Sequence, residues 1–272
     1  MKFMELELKG HHAVITGGAS GIGLACARGL ARENCHIALW DVSDEVTNAA
    51  AGIAVKFGVQ ALGLTVDVRD FAAVQAAALK TEAALGPISH LVHAAAIGSG
   101  KFGFPFTNLN PIDWPRVLDV NIMGMVHVAQ AIASSMVARK EGTMIFLGSV
   151  AGQIGSQTDP PYSASKAAGI NFAQCLAKDL APHNIRVNTV NPGMVKTPLN
   201  QNVWQSWNDQ QPVEKRRSYE DWFAEKVRAV APLGRAQEPE DIADMVAFLS
   251  SARANQVTGQ TINVDGGQVM HW

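Results

Sequence analysis

The chain has few cysteines and no recognisable metal-binding pattern. Its 272 residues include three cysteines, Cys26, Cys35 and Cys175, with no CxxC among them, and eight histidines without ligand spacing. No metal site is therefore expected. Each cysteine falls in an apolar stretch and is expected to be a small buried hydrophobe; thiols used this way suit a reducing cytoplasm, the expected location. An excess of one charge is also missing: 22 basic against 24 acidic residues leave a net −2, which argues against a nucleic-acid partner. No run approaches the ~18 apolar residues of a bilayer span, and the N-terminus lacks the charged-then-apolar order of a signal peptide. No membrane partner is expected. Repeats and low-complexity tracts are absent. What is present is enough chain for one large α/β domain, 1–272.

Along the chain, short apolar runs alternate with longer helical patterns. Strands are expected at Ala13–Thr16, His36–Trp40, Ala61–Val66, His90–Ala94, Gly142–Leu147, Arg186–Val190 and Gln260–Val264. Helices are expected at Ile22–Glu33, Glu45–Phe57, Phe71–Leu85, Pro111–Arg139, Pro161–Ala181 and Pro239–Ser250. This alternation predicts an α/β fold, a doubly wound parallel sheet with helices on both faces, because parallel crossovers are right-handed. Ligands of such sheets bind beyond the carboxyl ends of the strands.

Two groups of residues carry chemistry. The first is Tyr162-Ser163-Ala164-Ser165-Lys166, with Ser149 thirteen residues before the tyrosine. Four residues apart on a helix, the phenol and the ammonium share a face. A phenol with an ordinary pKa of ~10 is a poor acid–base catalyst at neutral pH, and a neighbouring cation is expected to bring it down. Ser149 would hold a carbonyl or alcohol oxygen while Tyr162 exchanges its proton. The second is Thr16-Gly17-Gly18-Ala19-Ser20-Gly21-Ile22-Gly23, between a strand and a helix, where glycines and free helix N–H groups suit a pyrophosphate. The strand His36–Trp40 ends at Asp41, an acidic residue about twenty positions past the glycines. Such a carboxylate suits adenosine ribose hydroxyls and repels a 2′-phosphate, favouring NAD over NADP.

Together these pieces resemble the short-chain dehydrogenase/reductase family over nearly the whole chain. Residues 16–23 look like its TGxxxGIG cofactor loop, so Gly17, Ser20, Gly21, Ile22 and Gly23 are implied to contact the dinucleotide, with Asp41 on the ribose. Asp67-Val68 matches the pair beside adenine, and Ala94 lies in the loop after the fourth strand. Pro192-Gly193 matches the turn beside nicotinamide, with Val195 and Thr197 implied at the carboxamide and phosphates. Asn121, Ser149, Tyr162 and Lys166 match the catalytic tetrad. Lys166 would hold the nicotinamide ribose, and Asn121 would anchor a water leading to solvent. Asp265-Gly266-Gly267 matches the C-terminal signature. One stretch departs: His93-Ala94-Ala95-Ala96 stands where the family usually has Asn-Asn-Ala-Gly, with His93 able to hydrogen-bond in place of the asparagine.

The resemblance implies an NAD-dependent oxidoreductase acting on a secondary alcohol or its ketone, such as a sugar, a polyol or another small to medium carbinol. A 3-oxoacyl-carrier-protein-type reductase is the alternative among enzymes, and a catalytically idle NAD-binding sensor or scaffold is the alternative outside them. Substrate contacts are expected from Ser149, Tyr162 and Gln153, with Phe102, Phe104, Phe106, Gln157 and Asn202 nearby. Residues 198–231, which hold Trp204, Trp207, Trp222, Tyr219 and Phe223, are expected to form a helical substrate lid. The helices at Pro111–Arg139 and Pro161–Ala181 are rich in Ala, Val, Ile and Met, and in the family such helices pair with a two-fold mate, so the resemblance implies a homotetramer or homodimer; Trp272 is expected to pack on another subunit.

Overall fold

The computed structural model describes residues 5–101, 106–155 and 159–270. Seven strands form one parallel sheet: β1 (His12–Thr16), β2 (His36–Asp41), β3 (Ala61–Thr65), β4 (His90–His93), β5 (Gly142–Leu147), β6 (Ile185–Pro192) and β7 (Thr261–Val264). Their order is β3-β2-β1-β4-β5-β6-β7. The chain therefore reverses direction across the sheet between β1 and β4, and a crevice opens there.

Neighbouring residues of each strand serve opposite faces, since strand side chains alternate. Ile15, Leu39, Val92, Ile145 and Val190 pack on one face against α1 (Gly21–Arg32), α2 (Val46–Phe57) and α9 (Pro239–Ser250). Val14, Ala38, Leu91, Met144 and Val187 pack on the other against α3 (Phe71–Leu85), α5 (Gly124–Arg139) and α6 (Pro160–Leu180). Burial on both faces is why these strands read as continuous apolar runs. Each of these side chains except that of Ala38 contributes about 1.5–3 kcal/mol when taken fully from water.

The helix expected over 111–139 is in fact segmented. A 3₁₀ turn (Pro111–Asp113) leads to the short α4 (Pro115–Leu118), then to a π turn (Asp119–Met123) closed by Gly124 N–H on Asp119 O, and only then to α5. By length and composition alone this segment is apolar enough to cross a membrane, although no uninterrupted apolar run within it approaches ~18 residues. Its face bearing Val128, Ile132 and Met136 is instead buried on the sheet. A second correction concerns Cys175, which is exposed while Cys26 and Cys35 are buried. Ala173, Ala177 and Leu180 take the inner face of α6, and position 175 points away from it.

Two histidines of β4 lie inside the sheet. The ring of His90 hydrogen-bonds Thr143 Oγ1 at 2.8 Å and the ring of His11 at 2.8 Å. His93 Nδ1 hydrogen-bonds Thr16 Oγ1 at 2.9 Å, so it supplies the β1–β4 tie that a family asparagine would make. Desolvation pushes both imidazoles down to about 3, helped by His11 at His90 and by Lys166 at His93. The folded protein keeps them neutral, which leaves His93 no part as an acid. In the unfolded chain they titrate near ~6.5, so stability is full above that pH and is lost as pH falls from there toward the folded value. Between pH 7 and pH 5 each histidine should cost about 2 kcal/mol. Urea titrations at the two pH values check this: His93→Asn should flatten the difference by about that amount, and an unchanged slope would contradict it.

Candidate active site

A cavity of about 490 Å³ runs along the carboxyl ends of the strands, a volume ordinary for a cofactor site. One wall is the turn between β1 and α1. Gly17 takes φ +65°, and a methyl group there would meet Ala95 N at 2.8 Å. Gly23 lies closer still to its surroundings: a Cβ would stand 2.1 Å from Gly17 O. These contacts are why the turn uses glycine; backbone packs directly on backbone, and the α1 N–H groups are presented to the cavity. Gly17, Ser20, Gly21, Ile22 and Gly23 all line it, as does Ala94 from the loop after β4.

At the β2 end the carboxylate of Asp41 is fixed from two sides. Oδ2 accepts Ala19 N–H and Oδ1 accepts Ser43 N–H, each at 3.0 Å. Asp67 and Val68 also border the cavity. The Asp67 carboxylate is bound by the Arg69 guanidinium at 2.5–3.0 Å, and those hydrogen bonds hold it below the usual carboxylate range. Val68 packs where a Cβ on Gly124 would meet its Cγ2 at 2.6 Å, bringing the π turn against the loop after β3. On the far side, Gly193 N–H donates to Gln237 Oε1 at 3.0 Å, and Gln237 also donates to Val264 O. Gln237 thereby pins the Pro192-Gly193 turn. Val195 and Thr197 follow along the wall, and Thr197 caps α7 (Pro198–Asp209) by accepting Asn200 N–H at 3.2 Å.

Ser149, Tyr162 and Lys166 line the centre. Ser149 leaves β5 and caps a 3₁₀ turn, accepting Ala151 N–H at 3.1 Å. Tyr162 and Lys166 sit one turn apart on α6. Asn121 is behind them, not in the cavity wall. Its Oδ1 accepts Ile97 N–H, and its two amide hydrogens go to Ile97 O and Ser165 Oγ, all at 2.9 Å. Ser165 Oγ in turn donates to Tyr162 O at 2.7 Å. With both amide hydrogens donated, the side chain clamps the loop after β4 to α6. The π turn is what aims it there; such bulges recur at functional sites.

The phenol does not have the lowered pKa expected from the spacing. Burial pushes Tyr162 up to about 12; a hydrogen bond with Ser149 opposes this and the charge of Asp159 adds to it. Lys166 Nζ stands 5.5 Å above the centre of the tyrosine ring and donates to Leu147 O at 2.7 Å. Its charge is directed at a main-chain carbonyl, and burial brings it down to about 8. Spacing places the two groups on one face; it does not place the ammonium on the phenolic oxygen.

Several expected substrate contacts fall elsewhere. Gln153 does not line the cavity, because it follows the 3₁₀ turn that carries Ala151 to the wall. Phe106 is 60% exposed on its own 3₁₀ turn. Phe102, Phe104, Gln157 and Trp272 lie outside the described residues. From α7, helical phase turns Leu199, Asn200 and Val203 to the cavity and leaves Asn202 exposed. Behind them α8 (Tyr219–Val230) supplies Trp222 and Phe223 to a small separate core shared with Trp204 and Trp207. Lys215, Arg216 and Arg217 are exposed, and Arg217 pairs with Glu225. Asp159 was not singled out in the sequence, yet it is buried in the cavity wall beside Tyr162. Its signal was position alone: an acidic residue just ahead of the Pro160-Pro161 helix start.

Comparison with known proteins agrees with this geometry. Residues 17–269 match a family model described as Enoyl-(Acyl carrier protein) reductase. The chain is 32% identical over 263 residues to 2,3-dihydro-2,3-dihydroxybenzoate dehydrogenase of Bacillus subtilis, covering 97% of each chain. It is 32% identical to a 3-oxoacyl-(acyl-carrier-protein) reductase of Aquifex aeolicus, covering 97% of this chain and 99% of that one. Among solved structures, L-sorbose reductase of Gluconobacter frateurii, complexed with NADPH and L-sorbose, superposes with a TM-score of 0.90 at 31% identity, covering 99% and 100% of the two chains.

Proposed function

The chain belongs to the short-chain dehydrogenase/reductase family, and from that premise we propose that it is an NAD-dependent oxidoreductase of small secondary alcohols and ketones, sugars and polyols among them. The observation that carries this reading is the convergence of Ser149, Tyr162 and Lys166 with the glycine turn on one cavity. The main-chain packing at Gly17 and Gly23 leaves a cradle of the kind a pyrophosphate needs, and Asp41 stands ready at the ribose end. When bound, the nicotinamide would accept or supply the hydride at its C4. The protein's own residues do the rest. Ser149 Oγ holds the substrate oxygen, and the Tyr162 phenol gives its proton to that oxygen in reduction or, as phenolate, takes it in oxidation. Lys166, one turn from the phenol on α6, is the cation that would hold the nicotinamide ribose. Residues 198–231 act as the lid, with Leu199 and Val203 excluding water.

The similarity to a 3-oxoacyl-carrier reductase favours a second reading on a thioester-bound ketone. Asp41 weighs against it, since a fixed carboxylate beside the ribose disfavours the 2′-phosphate of NADP, on which those reductions usually draw. A screen of secondary alcohols with NAD and NADP in parallel tests both. The expected result is preference for NAD in the wild type, moved by about 10–100-fold toward NADP in Asp41→Ala. A wild-type preference for NADP would overturn the assignment.

A further inference from the structure

Asp159 occupies the N-cap position of α6, where an aspartate ordinarily accepts helix N–H groups. Here φ is −153° and ψ 86°, and no helix N–H, that of Tyr162 included, reaches the side chain with hydrogen-bond geometry. Oδ2 instead accepts Ser99 N–H at 2.8 Å, which ties the loop after β4 to the start of the catalytic helix. Oδ1 is buried without a hydrogen-bond partner among the described residues. The side chain is 2% exposed and lies in the wall of the cavity that holds Ser149 and Tyr162. Burial raises its pKa, and the main chain and hydroxyl of Ser99, with the nearby main-chain N–H of Tyr162, oppose the rise. The nearby ammonium groups are committed elsewhere: Lys101 pairs with Asp113 at 2.9 Å, and Lys166 donates to Leu147 O.

An unpaired carboxylate oxygen kept from water is costly, and a ligand that brings a donor relieves the cost. We infer that Asp159 is a specificity-determining residue whose Oδ1 accepts a hydrogen bond from a second hydroxyl of the substrate, one that is not oxidised. This rests on the oxidoreductase reading above and narrows its substrate to a diol or polyol. One open acceptor suits a hydroxyl, which has one proton to give; an ammonium has three and would need more acceptors than this wall offers. A 3-oxo thioester presents only acceptor oxygens near its reacting carbonyl and would face the carboxylate unfavourably.

The test compares substrates that differ only in the second hydroxyl: 2,3-butanediol against 2-butanol, and 1,2-cyclohexanediol against cyclohexanol, each with NAD. Wild type is expected to favour the diol in kcat/KM by more than about 10-fold in at least one pair. Asp159→Asn, which can still accept from Ser99, and Asp159→Ala should bring that ratio near unity; the ratio is the readout because any effect of the lost charge on Tyr162 is common to both substrates and cancels in it. Three results would overturn the inference: an unchanged ratio in the variants, both substrates falling together with a lowered Tm (an anchoring role only), or a wild type that prefers the mono-alcohol or 1-amino-2-propanol. A wild type that takes no hydride from any alcohol onto either dinucleotide ends the oxidoreductase reading itself, and the inference with it.

Discussion

Tyr162→Phe is expected to lower kcat/KM for alcohol oxidation by about 10²–10⁴-fold, the usual worth of a positioned acid–base group. The substitution removes one oxygen. It leaves intact the ring beneath Lys166, the Ser165 hydrogen bond to the main chain and the helix start, so affinity for NAD should change little. The direction of the pH dependence follows from burial. With the phenol pushed up to about 12, Tyr162 is a proton donor at neutral pH, ready for ketone reduction. Oxidation needs the phenolate, so its rate in the wild type should climb as pH rises through the alkaline range, while reduction should not. Steady-state rates in both directions check this. Oxidation that survives the substitution unchanged would remove Tyr162 from the chemistry.

Gly23→Ala is expected to weaken dinucleotide binding by at least about 100-fold, the effect of some 2.8 kcal/mol of displaced backbone. The new methyl group would stand 2.1 Å from Gly17 O and 2.8 Å from Gly17 C. Both are main-chain atoms, and Gly17 is itself backed by Ala95, so the loop can yield only by opening the cradle. Gly52→Ala is the control: nothing lies within 4 Å of a Cβ there, and in the middle of α2 it should leave binding unchanged and add about 0.5–1 kcal/mol of stability. Calorimetric titration of NADH, with Tm measured on each variant, separates lost binding from lost folding. NADH binding that is intact in Gly23→Ala would contradict the cradle.

The strands were legible because a parallel sheet covered on both faces leaves continuous apolar runs, as at Val14-Ile15 and Met144-Ile145, closed by glycine or acidic residues. The 111–139 helix was legible as helix but not as a broken one. Composition does not mark a π turn, and this one exists to aim Asn121 at Ile97 and Ser165. Site residues carried by backbone geometry were readable, as with the glycine turn and Asp41. Those set by where a flexible side chain ends up were not. Lys166 shares a face with Tyr162 as its spacing requires, but its last carbons choose Leu147 O. Asn202 was expected near the substrate, and it is Asn200 that lines the cavity, a difference of helical phase within one turn. Asp159 was unreadable because its role depends on Ser99, 60 residues away in sequence. His93 was readable only as a departure from the family; its partner Thr16 shows that it replaces a structural hydrogen bond.

Isotope transfer probes the hydride path most directly. An alcohol that the wild type oxidises is labelled with deuterium at its carbinol carbon and incubated with NAD, and the reduced dinucleotide is examined by NMR. The account predicts deuterium at C4 of nicotinamide with the wild type, and a label that falls with the lost rate in Tyr162→Phe. Deuterium released only to water, or C4 labelling undiminished in the variant, would contradict it.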